Sequence, residues 1–468
     1  MTHPDFLLEE LARYALAGRA TPARTLEAAR LALADALGCA ALASTHEECR
    51  RLLGPLAPGT VVPDGARVPT TSYELDPVEA TFQTGALIRW LDYNDTWLAA
   101  EWGHPSDNFA AILSLGDHLA RRGAPLTVAD VLEAAIVAYE IQGVLALENS
   151  FNRVGLDHVI LVKVASAAAA GRLLSLDADR LVAALSNAWI DGHPLRIYRH
   201  APNIGSRKSW AAGDAAARAV RLALLAERGE MGYPSALGQP EWGFEHVLFR
   251  GQQVRLGRPL GTFVMDNILF KLVPAEFHAQ TAAECAFALH EQVRARAGEI
   301  ERIEIQTQEP ALRIIDKSGP LRNPADRDHS LQYVTVVSLL YGELTDLHYG
   351  DDFAADPEID PLRQRCVVEE DERYSRDYLD PAKRSIANAV RVCFADGSST
   401  DRVEAEYPIG HPRRRAEALP RLREKLRHNL AAAYGERSEG LVELLLDDPS
   451  LPRMPVDALL DAFVVPMS

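Results

Sequence analysis

Arg89-Trp90-Leu91-Asp92-Tyr93-Asn94-Asp95-Thr96, followed shortly by Trp102-Gly103-His104-Pro105-Ser106-Asp107-Asn108, sets three carboxylates, a hydroxyl and an imidazole in one turn-rich stretch. Groups of these types are what proton transfer beside a carboxylate-bearing substrate requires. Three further clusters share the character: Gly155-Leu156-Asp157-His158, Gly205-Ser206-Arg207-Lys208-Ser209-Trp210, and Lys271-Leu272-Val273-Pro274-Ala275-Glu276-Phe277-His278. Acids, imidazoles and ammonium groups thus recur in loop-like settings across more than half the chain. An enzyme site assembled from distant loops has this appearance on paper.

The elements that must position these groups fall into two kinds. To about residue 229 the sequence reads almost entirely as helix. Thr21-Pro22 predicts a helix start, with Thr as N-cap and Pro as first helical residue. Leu26, Ala29, Leu33, Ala36, Leu37 and Ala40 then recur at three- and four-residue spacing. Thr127-Val128-Ala129-Asp130 resembles a capping box, and 179–189 and 209–227 repeat the helical pattern, the latter ending at Gly229. Frequent alanine predicts close helix packing. Residues 230–263, rich in Gly and Pro, read as an extended connection. Alternation at Ile303, Ile305 and Thr307 predicts a strand. Val390, Val392 and Phe394 lead through Ala395-Asp396-Gly397 to Val403, Ala405 and Tyr407, a hairpin signal. Helical segments lie between, at 282–296 and 330–340, and again from Arg413 onward. The fold class expected is mainly α: a large all-helical domain (1–264), a smaller α/β lid (265–408), and C-terminal helices (409–468) returning to the first domain.

With 468 residues and 47% hydrophobic content, there is ample material for such cores. A net charge of −17 speaks against nucleic acid and anionic membranes as partners. It leaves room for a small basic pocket whose lysines and arginines face inward. No apolar run approaches the roughly 20 residues that span a bilayer, and Met1-Thr2-His3-Pro4 opens no signal-peptide pattern. Five cysteines, at 39, 49, 285, 366 and 393, form no Cys-x-x-Cys pair. That suggests reduced thiols in a cytoplasmic protein and a reaction without a metal or iron–sulfur cofactor. His46-Glu47-Glu48 has no second histidine at zinc-ligand spacing.

Together the motifs resemble the 2-methylcitrate dehydratase family (MmgE/PrpD). The resemblance takes in the segments above and Leu195-Arg196-Ile197-Tyr198-Arg199-His200-Ala201-Pro202-Asn203. It continues through Asn323-Pro324-Ala325-Asp326-Arg327-Asp328-His329, Gln332-Tyr333, Lys383-Arg384-Ser385-Ile386-Ala387-Asn388 and Tyr407-Pro408-Ile409-Gly410-His411. It covers nearly the whole chain. The Tyr-Arg-His-Ala-Pro-Asn and Pro-Ala-Glu-Phe-His stretches are similar to the dehydratase branch rather than the cis-aconitate decarboxylase branch. The resemblance implies a helical domain with an α/β lid, dehydration of 2-methylcitrate in propionate breakdown, and no iron–sulfur cluster. It also implies active-site positions at Asp92, Thr96, His104, His158, Lys208, Lys271, His278 and Tyr333. A homodimer acting on a tricarboxylate is the expected assembly.

On that reading the proton to be removed lies α to a carboxylate, and a cation must neutralise that carboxylate. Lys208 and Lys271 are the candidates, with Arg89 and Arg207 as clamps. His158 and His104 form the base and acid pair, unassigned between them, with Tyr333 an alternative donor. Asp92 would orient a histidine and Thr96 would bind a substrate carboxylate. Taken alone, Asp95, Thr96, Ser106 and Asp107 read as helix caps, His158 as a structural imidazole and Lys271 as a surface charge. The alternatives in function are decarboxylation of cis-aconitate, epimerisation of a related acid, and an inactive helical binding protein.

Overall fold

Small side chains at helix contacts let backbones approach closely, and the helical body is built that way. The computed structural model describes residues 5–18, 20–190, 192–200 and 202–465; Met1–Pro4 and Ala201, both used in the sequence reading, lie outside them. Long helices span Ala23–Ala43, Pro77–Arg89, Phe109–Arg121, Val128–Ala146, Val159–Leu173, Ala178–Ile190 and Arg207–Glu227. Pro77–Arg89 and Arg207–Glu227 meet where a Cβ on Gly85 would lie 2.5 Å from the Gly213 Cα, so only glycine fits. This antiparallel crossing carries Arg89, at the end of one helix, and Lys208, at the start of the other, to the same end of the body.

The Thr127 capping box is present, with the Thr127 amide donating to Asp130 at 2.8 Å. Pro22 is itself the N-cap of the Ala23–Ala43 helix, one residue later than the Thr21 cap expected. Near-continuous helix to residue 229 is too simple an expectation. Residues 51–76, with Gly54-Pro55, Pro58-Gly59 and a positive φ at Gly59 and Asp64, form an irregular excursion. It holds a short antiparallel ribbon of β1 (Ala66–Arg67) and β2 (Glu74–Leu75). Further breaks at 90–104, 147–158 and 192–200 carry at most short 3-10 turns.

A four-stranded sheet in the order β4-β3-β5-β6 forms the second body. β3 (Ile300–Thr307) pairs antiparallel with β5 (Asn388–Phe394), with Ile305 opposite Val390, and β5 pairs antiparallel with β6 (Val403–Ala405). β4 (Cys366–Glu370) adds a parallel edge that the sequence reading missed, because Cys-Val-Val-Glu-Glu alternates too weakly. The Gln280–Arg294 and Leu331–Tyr341 helices contribute Leu289, Val293, Val334 and Val337 to the core over this sheet.

Two large apolar cores result. The first runs from Leu8 through Phe270 and takes in Leu426, Leu445 and Leu459 of the C-terminal helices Arg415–Tyr434, Ser438–Leu446 and Val456–Ala462. The second opens at Val273 and extends to Phe394. The chain therefore passes from one core to the other between Phe270 and Val273, a few residues later than position 265. Lys271 stands in that passage.

Candidate active site

A cavity of about 240 Å³ opens at the seam between the two bodies. Its helical side is made from the breaks in the helix pattern: Arg89, Asp92, Thr96, His104, Asn152, Arg153, His158, Arg196, Arg199 and His200. Lys271, Glu276, Phe277, Arg313, Ile314 and His329 close it from beyond the seam. Larger surface grooves exist, one of about 780 Å³ beside Arg13 and Asp179, but they gather no set of imidazoles and buried cations.

Asp92 is the hub of one wall. It adopts a left-handed conformation (φ 50°), rare for a residue with a side chain and a common sign of a functional constraint. Arg89 donates to its Oδ1 at 2.5 Å, and Lys271 Nζ donates to the same oxygen at 2.8 Å and to the Asp92 carbonyl at 2.7 Å. Burial alone would favour the protonated acid, but Arg89 and Lys271 overcome it and hold Asp92 well below the usual carboxylate range. Lys271 in turn has its pKa lowered, chiefly by burial and then by Arg89, against the pull of Asp92.

His104 belongs to the same wall. Its Nδ1 lies 2.6 Å from the Asp95 carbonyl, which makes Nδ1 the donor, and Nε2 then accepts from Arg89 at 2.8 Å. Burial, Arg89 and Lys271 all press its pKa well below normal. His104 is a neutral imidazole with both nitrogens committed. Asp95 does not cap a helix by sequence proximity. Its carboxylate accepts from the Ser106 amide and hydroxyl and from the Tyr139 hydroxyl, and burial raises its pKa to about 7. Ser106 is spent on Asp95, and Asn108 is the N-cap of Phe109–Arg121 with no side-chain cap bond, so the expected Ser106–Asp107 cap does not form. Thr96 pairs through its backbone with Leu269, and its hydroxyl donates to the Gly103 carbonyl at 3.0 Å.

The neighbouring wall, around His158, is different. His158 is buried at the start of the Val159–Leu173 helix, and neither ring nitrogen has a hydrogen-bond partner. Asp157 Oδ1 stands 3.3 Å from Nδ1 without hydrogen-bond alignment. Burial, with Arg199 and Arg196 adding to it against Asp157, pushes the His158 pKa down to about 3. The His158 ring lies 6.0 Å from that of His104. Asp157 is clamped by Arg199 at 2.5 Å, and Arg196 Nη1, 3.6 Å away, has no hydrogen-bond partner.

The remaining expected residues fall outside the lining. Lys208 reaches the cavity only through others, donating to both Asp328 oxygens at 2.8 and 2.6 Å and lying 3.3 Å from Nδ1 of His329, which does line it. His278 sits behind Glu276 and Phe277, with Nδ1 2.8 Å from Glu276 and Nε2 3.2 Å from the Tyr378 hydroxyl. Two expectations are corrected. Tyr333 is built into the second core, where its hydroxyl donates to the His348 carbonyl at 2.6 Å. Arg207 turns outward, its side chain 41% exposed, stacked over Trp210 at 4.2 Å and paired with Asp214. In both cases the residue belongs to a matching motif, but packing aims its polar end elsewhere.

Sequence reasoning assigned no role to Arg153, Arg196, Arg199, Arg313 or His329. Arg196, Arg199 and His329 lie inside stretches quoted for the resemblance, which was a usable signal. Arg313 had none. With these residues the lining holds six Lys or Arg side chains against two acids. Among the described residues no group of three or more His, Cys, Asp or Glu is placed to hold a metal ion.

Comparison with known proteins agrees with this architecture. The MmgE/PrpD N-terminal domain matches residues 9–257 and the MmgE/PrpD C-terminal domain matches 273–448. The chain is 53% identical to a 2-methylcitrate dehydratase of Salmonella typhimurium over 474 residues, covering 99% of this chain and 98% of that one. It is 54% identical to a 2-methylcitrate dehydratase of Escherichia coli K12 over 94% of this chain and 93% of that one. A mitochondrial 2-methylcitrate dehydratase of Yarrowia lipolytica is 48% identical over 98% of this chain and 90% of that one. With both domains matched and near-complete coverage at this identity, the chain belongs to the MmgE/PrpD family.

Proposed function

We propose that this chain is a hydro-lyase that removes water from 2-methylcitrate to give 2-methyl-cis-aconitate, in the methylcitrate cycle of propionate breakdown. The names of the near-full-length relatives support the reaction. The observation that carries the reading is the cationic cavity itself. In a chain of net charge −17, four buried or half-buried cations (Arg89, Arg196, Arg199 and Lys271) and the exposed Arg153 and Arg313 at the rim converge on a space that holds one small molecule. A tricarboxylate satisfies that field.

The proton to be removed sits on the carbon bearing the methyl group, α to a carboxylate. His158 is the base on this reading: it is neutral, it faces the cavity, and its nitrogens are free. Asp157 beside Nδ1 favours the imidazolium once it forms. Arg196, with an unpartnered nitrogen, Arg153 and Arg313 receive carboxylates. The C–H bond breaks toward His158 first, leaving its electron pair on the carbon and the attached carboxylate as a carbanion that the arginines stabilise. That pair then forms the carbon–carbon double bond as the C–O bond to the hydroxyl breaks. Lys271, whose burial makes its ammonium a stronger acid than an exposed one, delivers the proton that turns the departing hydroxide into water. His104 orients Arg89 and, with it, Asp92 and Lys271. Leu98, Trp102 and Phe277 form an apolar patch on the cavity wall that suits the methyl group of 2-methylcitrate.

The reading includes no metal or iron–sulfur cofactor, a tricarboxylate substrate, no nucleic-acid or membrane partner, and a cytoplasmic homodimer. It is supported by the five scattered cysteines, by the absence, among described residues, of a helix long and apolar enough to cross a membrane, and by exposed Ile190, Leu225, Tyr233 and Trp242 around one groove. Gel filtration with light scattering tests the dimer. For the reaction, the purified protein is incubated with 2-methylcitrate and with citrate, with and without chelator, while the ultraviolet absorbance of the new double bond is followed. We expect faster rise with 2-methylcitrate, unchanged by chelator. No rise with either acid overturns the reaction, and loss on chelation that iron restores overturns the cofactor-free reading.

A further inference from the structure

Behind the Asp92 wall, on the side away from the cavity, lies a second buried charge pair that the mechanism does not use. Lys425, on the Arg415–Tyr434 helix, and Asp35, on the Ala23–Ala43 helix, meet at 2.7 Å, with both side chains all but removed from solvent. A buried ion pair is weak evidence for stability, since desolvation offsets the attraction. The rest of the Lys425 environment points to another purpose. Its ammonium donates to the Tyr93 carbonyl at 2.7 Å and to the Lys271 carbonyl at 3.0 Å, and lies 3.7 Å from the centre of the Tyr93 ring. Tyr93 follows Asp92 in the chain, and its hydroxyl donates to the carbonyl of Leu272, which follows Lys271.

We infer that Lys425 is a positioning residue for the active site, tying the backbone beside Asp92 to the backbone of Lys271 so that their side chains meet at the cavity. The inference rests on the proposed dehydratase reading. Asp92 and Lys271 are separated by 179 residues, and the left-handed conformation at Asp92 needs outside support to persist. One ammonium bridging both backbones supplies it, and Asp35 helps keep that ammonium charged: burial lowers the Lys425 pKa, but Asp35, with Cys39 and Tyr93, more than reverses the effect. Asp35 reaches neither of the two carbonyls that Lys425 bridges; besides Lys425, its carboxylate is stabilised by the Asp95 backbone N–H. The two members of the pair are therefore not equivalent. Lys425 does the bridging between the Asp92 and Lys271 segments, and Asp35 balances its charge.

That asymmetry gives the test, made on the full-length protein with 2-methylcitrate. Asp35→Asn is compared with Asp35→Asn/Lys425→Met, which removes the bridge without leaving a lone buried charge. Melting temperature and circular dichroism are measured on both. Asp35→Asn removes the group that keeps the ammonium charged but leaves the Lys425 amine, whose N–H groups still donate to both carbonyls, and is expected to hold kcat within about threefold of the natural protein. The double variant is expected to lose roughly 30- to 100-fold in kcat, with KM changed less than threefold, because a small misplacement of the acid costs the chemical step rather than binding. Equal kcat in the two folded variants overturns the inference, as does a loss carried by KM alone. Should the double variant not fold, Asp35→Asn/Lys425→Gln, which keeps one amide donor for the carbonyls, is expected to lose about tenfold in kcat. Unchanged kcat there, or failure of both double variants to fold, overturns the assignment by making the pair a plain folding element. Absence of turnover in the natural protein would instead strike the dehydratase reading.

Discussion

The two walls of the cavity carry similar residue types and treat them oppositely. On the Asp92 wall, Lys271, Asp92, Arg89 and His104 are joined in a chain of hydrogen bonds, while Arg89 Nε, 4.0 Å from Asp107, and Asp92 Oδ2 make none among the described residues. On the His158 wall the imidazole and the Arg196 guanidinium are buried with polar atoms unsatisfied. Polar groups buried without a protein partner are few in natural structures, and each calls for a reason. The difference teaches which wall holds geometry and which waits for substrate. A cluster bonded through its own members fixes charges in place ahead of the reaction, while groups without a protein partner are open to hydrogen bonds from a bound polyanion.

The largest effect should come from the open wall. His158→Asn is expected to lower dehydration by roughly 10²–10⁴ and to stop uptake of deuterium from heavy water at the carbon next to the carboxylate. Folding should be unharmed, since no hydrogen bond is lost. Normal exchange would move the base to another residue and erase the contrast between the walls. Next comes Lys271→Ala, expected to cost roughly 10²–10³ in dehydration. If Lys271 is the acid, deuterium uptake persists in this variant while product formation falls. Its melting temperature should also drop, because the buried Asp92 carboxylate loses a cation that holds it. Loss of exchange together with dehydration would show that Lys271 acts on the carboxylate and not on the leaving group.

How much of the fold and of the site is legible in the sequence depends on what kind of signal each residue leaves. Helices announce themselves through apolar spacing, and a sheet strand such as Ile300–Thr307 through alternation, because burial of one face imposes the period. Crowded acids, imidazoles and cations mark the segments that hold Asp92, His104, His158 and Lys271, but the positions themselves come from the family resemblance, since His158 and Lys271 taken alone read as a structural imidazole and a surface charge. Arg313 is not: an arginine on a short helix looks like solvated charge until the second body turns it over Trp102, 5.7 Å from its ring. Nor can sequence separate His104 from His158. Both stand in polar turns, and only the distances to Arg89 and the Asp95 carbonyl reveal that one ring is already spent. Tyr333 shows the reverse failure, since a motif gives residue type but not the direction a side chain takes in a core.

A gentler way to sharpen the comparison is acid titration of stability. His158 is neutral when folded, with its pKa pushed down to about 3, whereas an unfolded histidine titrates near 6.5. Between these values the unfolded chain binds the extra proton, so stability falls as pH drops through the window. At pH 5 the 1.5-unit gap below 6.5 corresponds to about 2 kcal/mol. His158→Asn lacks this penalty. Measured by denaturant unfolding, the difference in stability between variant and natural protein should shift by about 2 kcal/mol toward the variant between pH 8 and pH 5. A shift near zero would mean that His158 finds a partner or solvent when the cavity is empty.

The smallest effects are expected where the sequence reading and the packing disagree. Tyr333→Phe removes a phenol oxygen that donates to the His348 carbonyl and leaves the ring stacked on Tyr349 at 6.0 Å. The expected cost is about 1 kcal/mol of stability, the usual value of one buried hydrogen bond, with turnover within about twofold. Arg207→Ala strips an exposed guanidinium from Trp210 and breaks a 3.5 Å pair with Asp214, contacts of a kind that contribute well under about 1 kcal/mol. Its kcat and KM should both stay within about twofold of the natural protein. A tenfold fall in kcat for Tyr333→Phe, with the fold intact, would mean that the second body rearranges to bring its core hydroxyl to the substrate. The division into a fixed wall and a waiting wall would then describe only the empty enzyme.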